Sequence, residues 1–278
     1  MSLTSFLRNS ADVRERFKAE FPMPPLGTTK ELLAPPGGGN PSLVGTAFDY
    51  LLRFYIERPN PHSIAGEWIA ERAALCDIEF DGCSVALPDI VAKAKKAYRA
   101  YLKTGQISDE LLRSALCLGQ LDVIYRRGLL YGDDDSYFKS VGTIDPKDVQ
   151  DLRRLISLVR PKMFKASRTS LLNPNFGRAS ELVEGADCDL VIDDTIIEIK
   201  TVKDFEVKQE YFNQLMGYYV LFSIGGINGA PKGHQIKRSG IYFSRHGHLW
   251  LFDVSAAIKE KELPSFIRWF KKRARQGV

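Results

Sequence analysis

The sequence predicts an α/β fold: a mixed central sheet flanked by helices, with a large helical portion at the N-terminus. Three observations predict it. Up to about residue 160 the apolar residues recur at helical spacing. After about residue 165 short β-forming runs take over, of which "CDLVIDD" (188–194) and "TIIEIKTV" (195–202) are the clearest. Between the strand runs lies one strong helix, "EVKQEYFNQLMGYYVLFSI" (206–224), long enough to cross from one strand to another. The chain of 278 residues is read as one domain, residues 1–160 mainly helical and residues 161–278 the α/β part.

Element by element, "TSFLRNSADVRERFKAEF" (4–21) is periodic and reads as a helix. "PMPPLG" and "APPGGGNP" make residues 22–42 one long surface loop, because proline and glycine end regular structure. "LVGTAFDYLLRFYIER" (43–58) is apolar on nearly every side and reads as a buried helix. Further helices are expected over 63–75, 87–103, 108–127 and 145–163, the last with Asp145 as N-cap and Pro146 in the first turn. "GDDDS" (132–136) reads as a turn. "GRASELV" (177–183), "CDLVIDD" and "TIIEIKTV" read as three consecutive strands. "SGIYFSR" and "HLWLFDV" form a second hairpin around His246 and Gly247, and a basic helix with "FIRWFKKRAR" follows.

Composition excludes several classes. A hydrophobic fraction of 44% with 26% charged residues is that of a folded chain rather than a disordered one. A net charge of +5 is compatible with a nucleic-acid partner without arguing for one. Cys76, Cys83, Cys117 and Cys188 form no C-x-x-C pair, against a zinc finger and a disulfide framework. "MSLTSFLRNSADVRERF" has no signal-peptide core, and the longest apolar stretch, "YYVLFSIGGI", is too short for a bilayer. The expected setting is the cytoplasm, with no membrane contact.

The chemistry sits in the 188–201 hairpin. Side chains alternate along a strand, so Glu198 and Lys200 share one face while Ile197 and Ile199 take the other. Asp189, on the facing strand, lies within reach of Glu198. Two adjacent carboxylates repel and raise one pKa unless a cation sits between them. A divalent ion with oxygen ligands meets that need. Lys200 beside it can position or help deprotonate an attacking water, or stabilise charge on a phosphate. E-x-K alone reads as an ion-paired strand face; the surrounding residues add to it.

Those residues carry a resemblance. "GADCDLVIDDTIIEIKT" resembles the core of the PD-(D/E)XK nuclease superfamily, and the order Gly185, Asp189, Glu198, Lys200 is similar to its RecB-type and lambda-exonuclease branches. "QLMGY" matches the Q-x-x-x-Y motif of RecB-type nucleases and puts Gln214 and Tyr218 on one helix face. "VGTAFDYLL" resembles the upstream helix that reads G-T-x-x-H in the family, with Asp49 in place of the usual metal-binding His. The resemblance covers Gly45 to Asp49 and roughly residues 176 to 254.

It implies a restriction-endonuclease-like fold and metal-dependent hydrolysis of DNA, more in the manner of an exonuclease acting on ends in phage recombination, repair or defence. By resemblance Asp189 and Glu198 hold Mg²⁺ or Mn²⁺, Asp49 is a third ligand, and Lys200 orients or activates the water. Gln214 and Tyr218 then support the site or touch the DNA backbone. A restriction-type endonuclease and a binding subunit of the same fold that lost its chemistry are the alternatives. DNA, single- or double-stranded, is the expected partner. The helices from 64 to 160 match no motif and stand as candidates to contact a partner protein or the DNA.

Several choices stay open. Asp187 shares the strand face of Asp189; Asp189 is preferred because it directly precedes "LVI". Asp193 and Asp194 read as turn residues. His246 and His248 read as a solvated turn rather than a metal pair, and "PPGGGNP" as a flexible loop rather than a phosphate cradle. The basic helices around Lys93 to Lys103 and in "RWFKKRAR" either contact phosphates or are solvated faces with their aromatics in the core.

Overall fold

In the computed structural model residues 2–75, 86–127, 137 and 139–276 are described. The turn expected at 132–136, Cys76 and Cys83 lie outside them. Among the described residues no helix is long and apolar enough to cross a membrane.

The helix expected over 4–21 is two, α1 (Leu3–Asn9) and α2 (Ala11–Glu20), because Ser10 between them is extended at φ −107°, ψ 102°. α3 (Pro41–Glu57) starts where Asn40 Oδ1 accepts from the Leu43 N–H, at 3.1 Å, with Pro41 in the first turn. α4 (Ile69–Ala74), α5 (Leu87–Thr104), α6 (Asp109–Arg127) and α7 (Pro146–Ser157) follow. Asp145 caps α7 as expected, its carboxylate accepting from the Lys147 N–H at 2.8 Å.

A six-stranded mixed sheet follows the sequence order: β1 (Ile64–Ala65), β2 (Ser170–Leu172), β3 (Leu190–Ile192), β4 (Thr195–Lys200), β5 (Arg238–Phe243) and β6 (His248–Asp253). β1–β2 and β4–β5 are parallel and the other pairs antiparallel. α9 (Gln209–Gly225) makes the crossover between the parallel β4 and β5.

"GRASELV" is not a strand. It forms the short helix α8 (Arg178–Glu181), locked by Ser180 Oγ, which accepts from the Phe176 N–H and donates to the Ala186 carbonyl, each at 2.9 Å. The strand that precedes β3 lies upstream, at β2. β1 lies inside the helix expected over 63–75. Strands of two and three residues carry too little alternation to be told from their surroundings.

The sheet separates two cores. Leu190, Ile192, Ile197, Ile199 and Tyr242 pack under α3 to α7. Val191, Ile196, Ile241 and Phe243 pack under α1, α2, α9 and α10 (Leu263–Ala274). Alternation in "TIIEIK" thus puts Ile197 and Ile199 on one face and aims Glu198 and Lys200 toward α9.

The loop over 22–42 is pinned rather than flexible. Arg245, in the β5–β6 connection, is buried and donates to both carboxylate oxygens of Asp151 in α7 and to the Ala34 carbonyl. Its own carbonyl accepts from the N–H groups of Leu33 and Ala34. The Gly37 N–H reaches Asp151 and the Asn40 N–H reaches Asp148, so the glycine-rich run lies against α7 and feeds into α3.

Candidate active site

The β3–β4 hairpin closes through a two-residue turn, Asp193-Asp194, with Ile192 paired to Thr195. Asp193 takes φ 49°, and its carboxylate accepts from the N–H groups of Ser167, Arg168 and Thr169. Burial opposes its charge, but these donors bring the carboxyl below the usual range. Asp194 pairs with Arg238 at 3.0 Å. Both acids are bound into the turn, at the opposite end of β4 from Lys200.

At that other end four predicted residues form one chain of hydrogen bonds. Lys200 Nζ donates to Glu198 Oε1 at 2.8 Å and to Gln214 Oε1 at 3.0 Å. Gln214 Nε2 donates to the Tyr218 hydroxyl at 2.7 Å. The four-residue spacing on α9 makes that last contact. Burial disfavours the Lys200 charge, but Glu198 beside it more than compensates and holds the ammonium above its ordinary pKa. Its geometry is that of a donor, shared between Glu198 and Gln214.

Asp189 sits one residue before β3, where the ladder to β4 stops. Its Oδ2 accepts from the Ile199 N–H at 2.6 Å, so the side chain satisfies a strand donor that the backbone leaves open. Burial first, then the charges of Glu198 and Asp49, push its carboxyl well above the usual range. Asp187 lies one bridge further out, opposite Asn175. Burial raises its carboxyl too, while Arg126, Arg72 and Arg53 pull it down. Of the two acids, Asp189 is the one beside Glu198; Asp187 belongs to the arginine side.

Asp49 reaches the same place from α3, whose Gly45 lies against Thr201, just past β4. Its Oδ2 pairs with Arg53 at 2.6 Å; its Oδ1 is buried and, among the described residues, without a partner, as is Glu198 Oε2. Burial raises the Asp49 carboxyl, Arg53 lowers it, and Asp122 and Glu198 raise it again. Asp49, Asp187, Asp189 and Glu198 all line one cleft of about 700 Å³.

Two unpartnered buried carboxylate oxygens, with the raised carboxyls of Asp49 and Asp189 beside them, are what an oxygen-ligated cation would satisfy. The fit is incomplete as the side chains stand. Asp189 Oδ2 is held by a backbone N–H, Asp49 Oδ2 by Arg53 and Glu198 Oε1 by Lys200. Among the described residues no three His, Cys, Asp or Glu side chains converge as a ready ligand set.

Sequence reasoning missed two residues of the cleft wall, Asp122 and Arg126, and the buried Arg53 that pairs with Asp49. Arg53 is buried and stacks 4.5 Å from the Tyr50 ring centroid. Asp122 is buried in α6, accepts from the Tyr50 hydroxyl at 3.0 Å and pairs with Arg126. Arg53 had a signal: it stands four residues after Asp49 in an otherwise apolar helix. Asp122 and Arg126 had none beyond ordinary i,i+4 spacing.

Other candidates resolve into structure. His246 is not in a solvated turn: it is buried, its ring centroid 5.2 Å from that of Phe205. Tyr101 and Phe270 of the two basic helices are buried in the two cores. Cys188 is buried at 0% exposure, and burial pushes its thiol up, which is the setting of a packed core thiol. No family model matches this chain, and neither a curated protein nor a solved structure matches it.

Proposed function

We propose that this chain is a metal-dependent nuclease that hydrolyses DNA phosphodiester bonds, of the restriction-endonuclease-like, RecB-type kind, acting on DNA ends. One observation carries the reading. Lys200, which lines a neighbouring cavity, bridges Glu198 and Gln214 on one face of β4, and these two line the cleft that Asp189 and Asp49 also reach. An ion-paired strand face would be solvated; here Glu198 is buried, and among the described residues Asp49 Oδ1 and Glu198 Oε2 have no partner. The placement of β4 between antiparallel β3 and parallel β5, with α9 as crossover, also supports it.

Asp49, Asp189 and Glu198 are the residues that would hold Mg²⁺ or Mn²⁺. A bound ion would polarise the phosphoryl oxygen and lower the pKa of water. The chain's own groups do the rest. The Lys200 ammonium, fixed by Gln214, offers its charge to a phosphate oxygen or orients a water. Tyr218 holds Gln214, and through it Lys200, in place. Burial keeps the Tyr218 phenol protonated.

A second reading has its own observation. Arg53 already gives Asp49 a buried counter-charge at 2.6 Å, as expected of a site that keeps the fold and binds nucleic acid without cutting it. The test is to incubate end-labelled linear and circular DNA, single- and double-stranded, with Mg²⁺ or Mn²⁺, using wild type, Asp189→Ala and the more conservative Asp189→Asn. The proposal expects loss of linear DNA by wild type alone. Binding without cleavage supports the second reading, and neither binding nor cleavage refutes both. Cleavage of circles would assign endonuclease action.

A further inference from the structure

A second cavity, of about 340 Å³, lies beside the cleft, lined by Arg8 of α1, Arg14 of α2, and Lys200, Tyr211 and Gln214. α1 and α9 form the partition: Thr4 and Gln214 line both spaces. The partition is tightly built. The Leu3 N–H donates to the Gly185 carbonyl at 2.9 Å, and a Cβ on Gly217 of α9 would meet Leu3 Cδ2 at 2.9 Å.

The cavity is cationic, with Arg8, Arg14 and Lys200 against Glu210. The Arg14 guanidinium is held by backbone carbonyls, of Leu7 at 3.5 Å and of Arg8, and among the described residues no carboxylate pairs with it. Carbonyls fix its direction without cancelling its charge. That is what a site for an incoming anion requires, since an ion-paired arginine must first break its pair. The volume is at the small end of ligand sites, which run from about 300 to 1,000 Å³. It suits one nucleotide of a single strand rather than a duplex. Lys200 already stands 4.8 Å from the Tyr211 ring centroid and Lys208 5.9 Å from it. Recognition here is therefore of phosphate, independent of base.

We infer that this cavity is a phosphate subsite for a single DNA strand, in which Arg8 and Arg14 hold the phosphate next to the one presented to Lys200. The assignment to DNA rests on the nuclease reading; the anion site rests on the cavity alone.

Fluorescence anisotropy tests it with the full chain and a labelled oligothymidylate, in EDTA, so that no cleavage intervenes. Arg8→Gln and Arg14→Gln together should weaken binding at least tenfold. They should also flatten the salt dependence by about 0.7 for each phosphate no longer neutralised. Because Arg14 also ties down α1, Arg8→Gln is read alone as well, with a thermal melt to show that it folds; it should weaken binding severalfold. Arg168→Gln with Lys232→Gln, on the turn end of the sheet, serves as the control and should bind as wild type does. Wild-type affinity in the Arg8 variant, an equal loss in the control, or no binding by wild type would each overturn the subsite. Metal-dependent cleavage together with undiminished binding by the arginine variants would sink the subsite and leave the nuclease standing. Binding lost in those variants without any cleavage would do the reverse.

Discussion

Arg245→Met should be among the most damaging single substitutions outside the cleft. Arg245 is 1% exposed and Asp151 is 2% exposed. The guanidinium makes two hydrogen bonds of 3.0 Å to Asp151 and one of 2.9 Å to the Ala34 carbonyl. Methionine fills much of the volume but leaves the Asp151 carboxylate with the Gly37 N–H at 3.3 Å and Arg154 at 3.8 Å. Removing one partner of a buried ion pair costs about 3–5 kcal/mol. The backbone bonds from Leu33 and Ala34 to the Arg245 carbonyl survive, so a loss of about 3–4 kcal/mol is expected. At roughly 2–4 °C per kcal/mol for a large domain, the melting temperature falls by about 6–16 °C. Asp151→Leu alone should cost a similar amount, whereas the double variant should return to within about 1 kcal/mol of wild type, because the apolar pair strands no charge. Urea denaturation of the four proteins gives the coupling energy. A loss below about 1 kcal/mol in Arg245→Met, or two single losses that simply add in the double variant, would refute the pinning of the loop by this pair.

Three further outcomes follow from the site and the turn. The raised carboxyls of Asp49 and Asp189 contribute stability that is present below their ordinary value of 3.8 and is lost as pH rises through their folded values. In EDTA, urea midpoints above about pH 4 should therefore fall with pH more steeply for wild type than for Asp189→Asn. Excess Mn²⁺ should restore about 2.7 kcal/mol to wild type at a hundredfold excess over Kd, and little to the variant; identical profiles would exclude an acid cluster. Tyr218→Phe removes the acceptor of Gln214 Nε2 and should cost about 1–3 kcal/mol in denaturation, with kcat falling more than KM rises. Asp193→Ala loses an acceptor of three backbone N–H groups at a φ of 49°. It should destabilise by about 2–4 kcal/mol, with Asp193→Asn milder because it keeps an acceptor and tolerates that φ; equal losses would contradict this role for the turn.

How much was legible depends on length and alternation. β4 and α9 could be read because "TIIEIK" is rich in β-branched residues and alternates over its last four, and "QEYFNQLMGYY" is long. The same two segments carry Glu198, Lys200, Gln214 and Tyr218; period-two and i,i+4 spacing implied the Glu198–Lys200 and Gln214–Tyr218 pairs, but not the Lys200–Gln214 bond that joins strand to helix. β1 and β2 could not be read: two or three residues establish no period, and "GRASELV" has strand-like residues that a serine network closes into a turn of helix. Arg245 hid inside a hairpin-like stretch, since nothing local to "SRHGH" says that its partner lies in α7. The charge state of the site was equally hidden. That Asp49 is held by Arg53, and that Glu198 offsets the burial of the Lys200 ammonium, are consequences of burial and of how close neighbours are turned.

The most direct test of the nuclease reading is the initial rate at which folded Lys200→Ala cleaves linear DNA in Mn²⁺, set against wild type. Loss of a charged donor at the reacting phosphate predicts a fall of about a hundredfold or more, with the same circular dichroism as wild type. Equal rates for the two proteins, or cleavage by wild type that persists in EDTA, would contradict it.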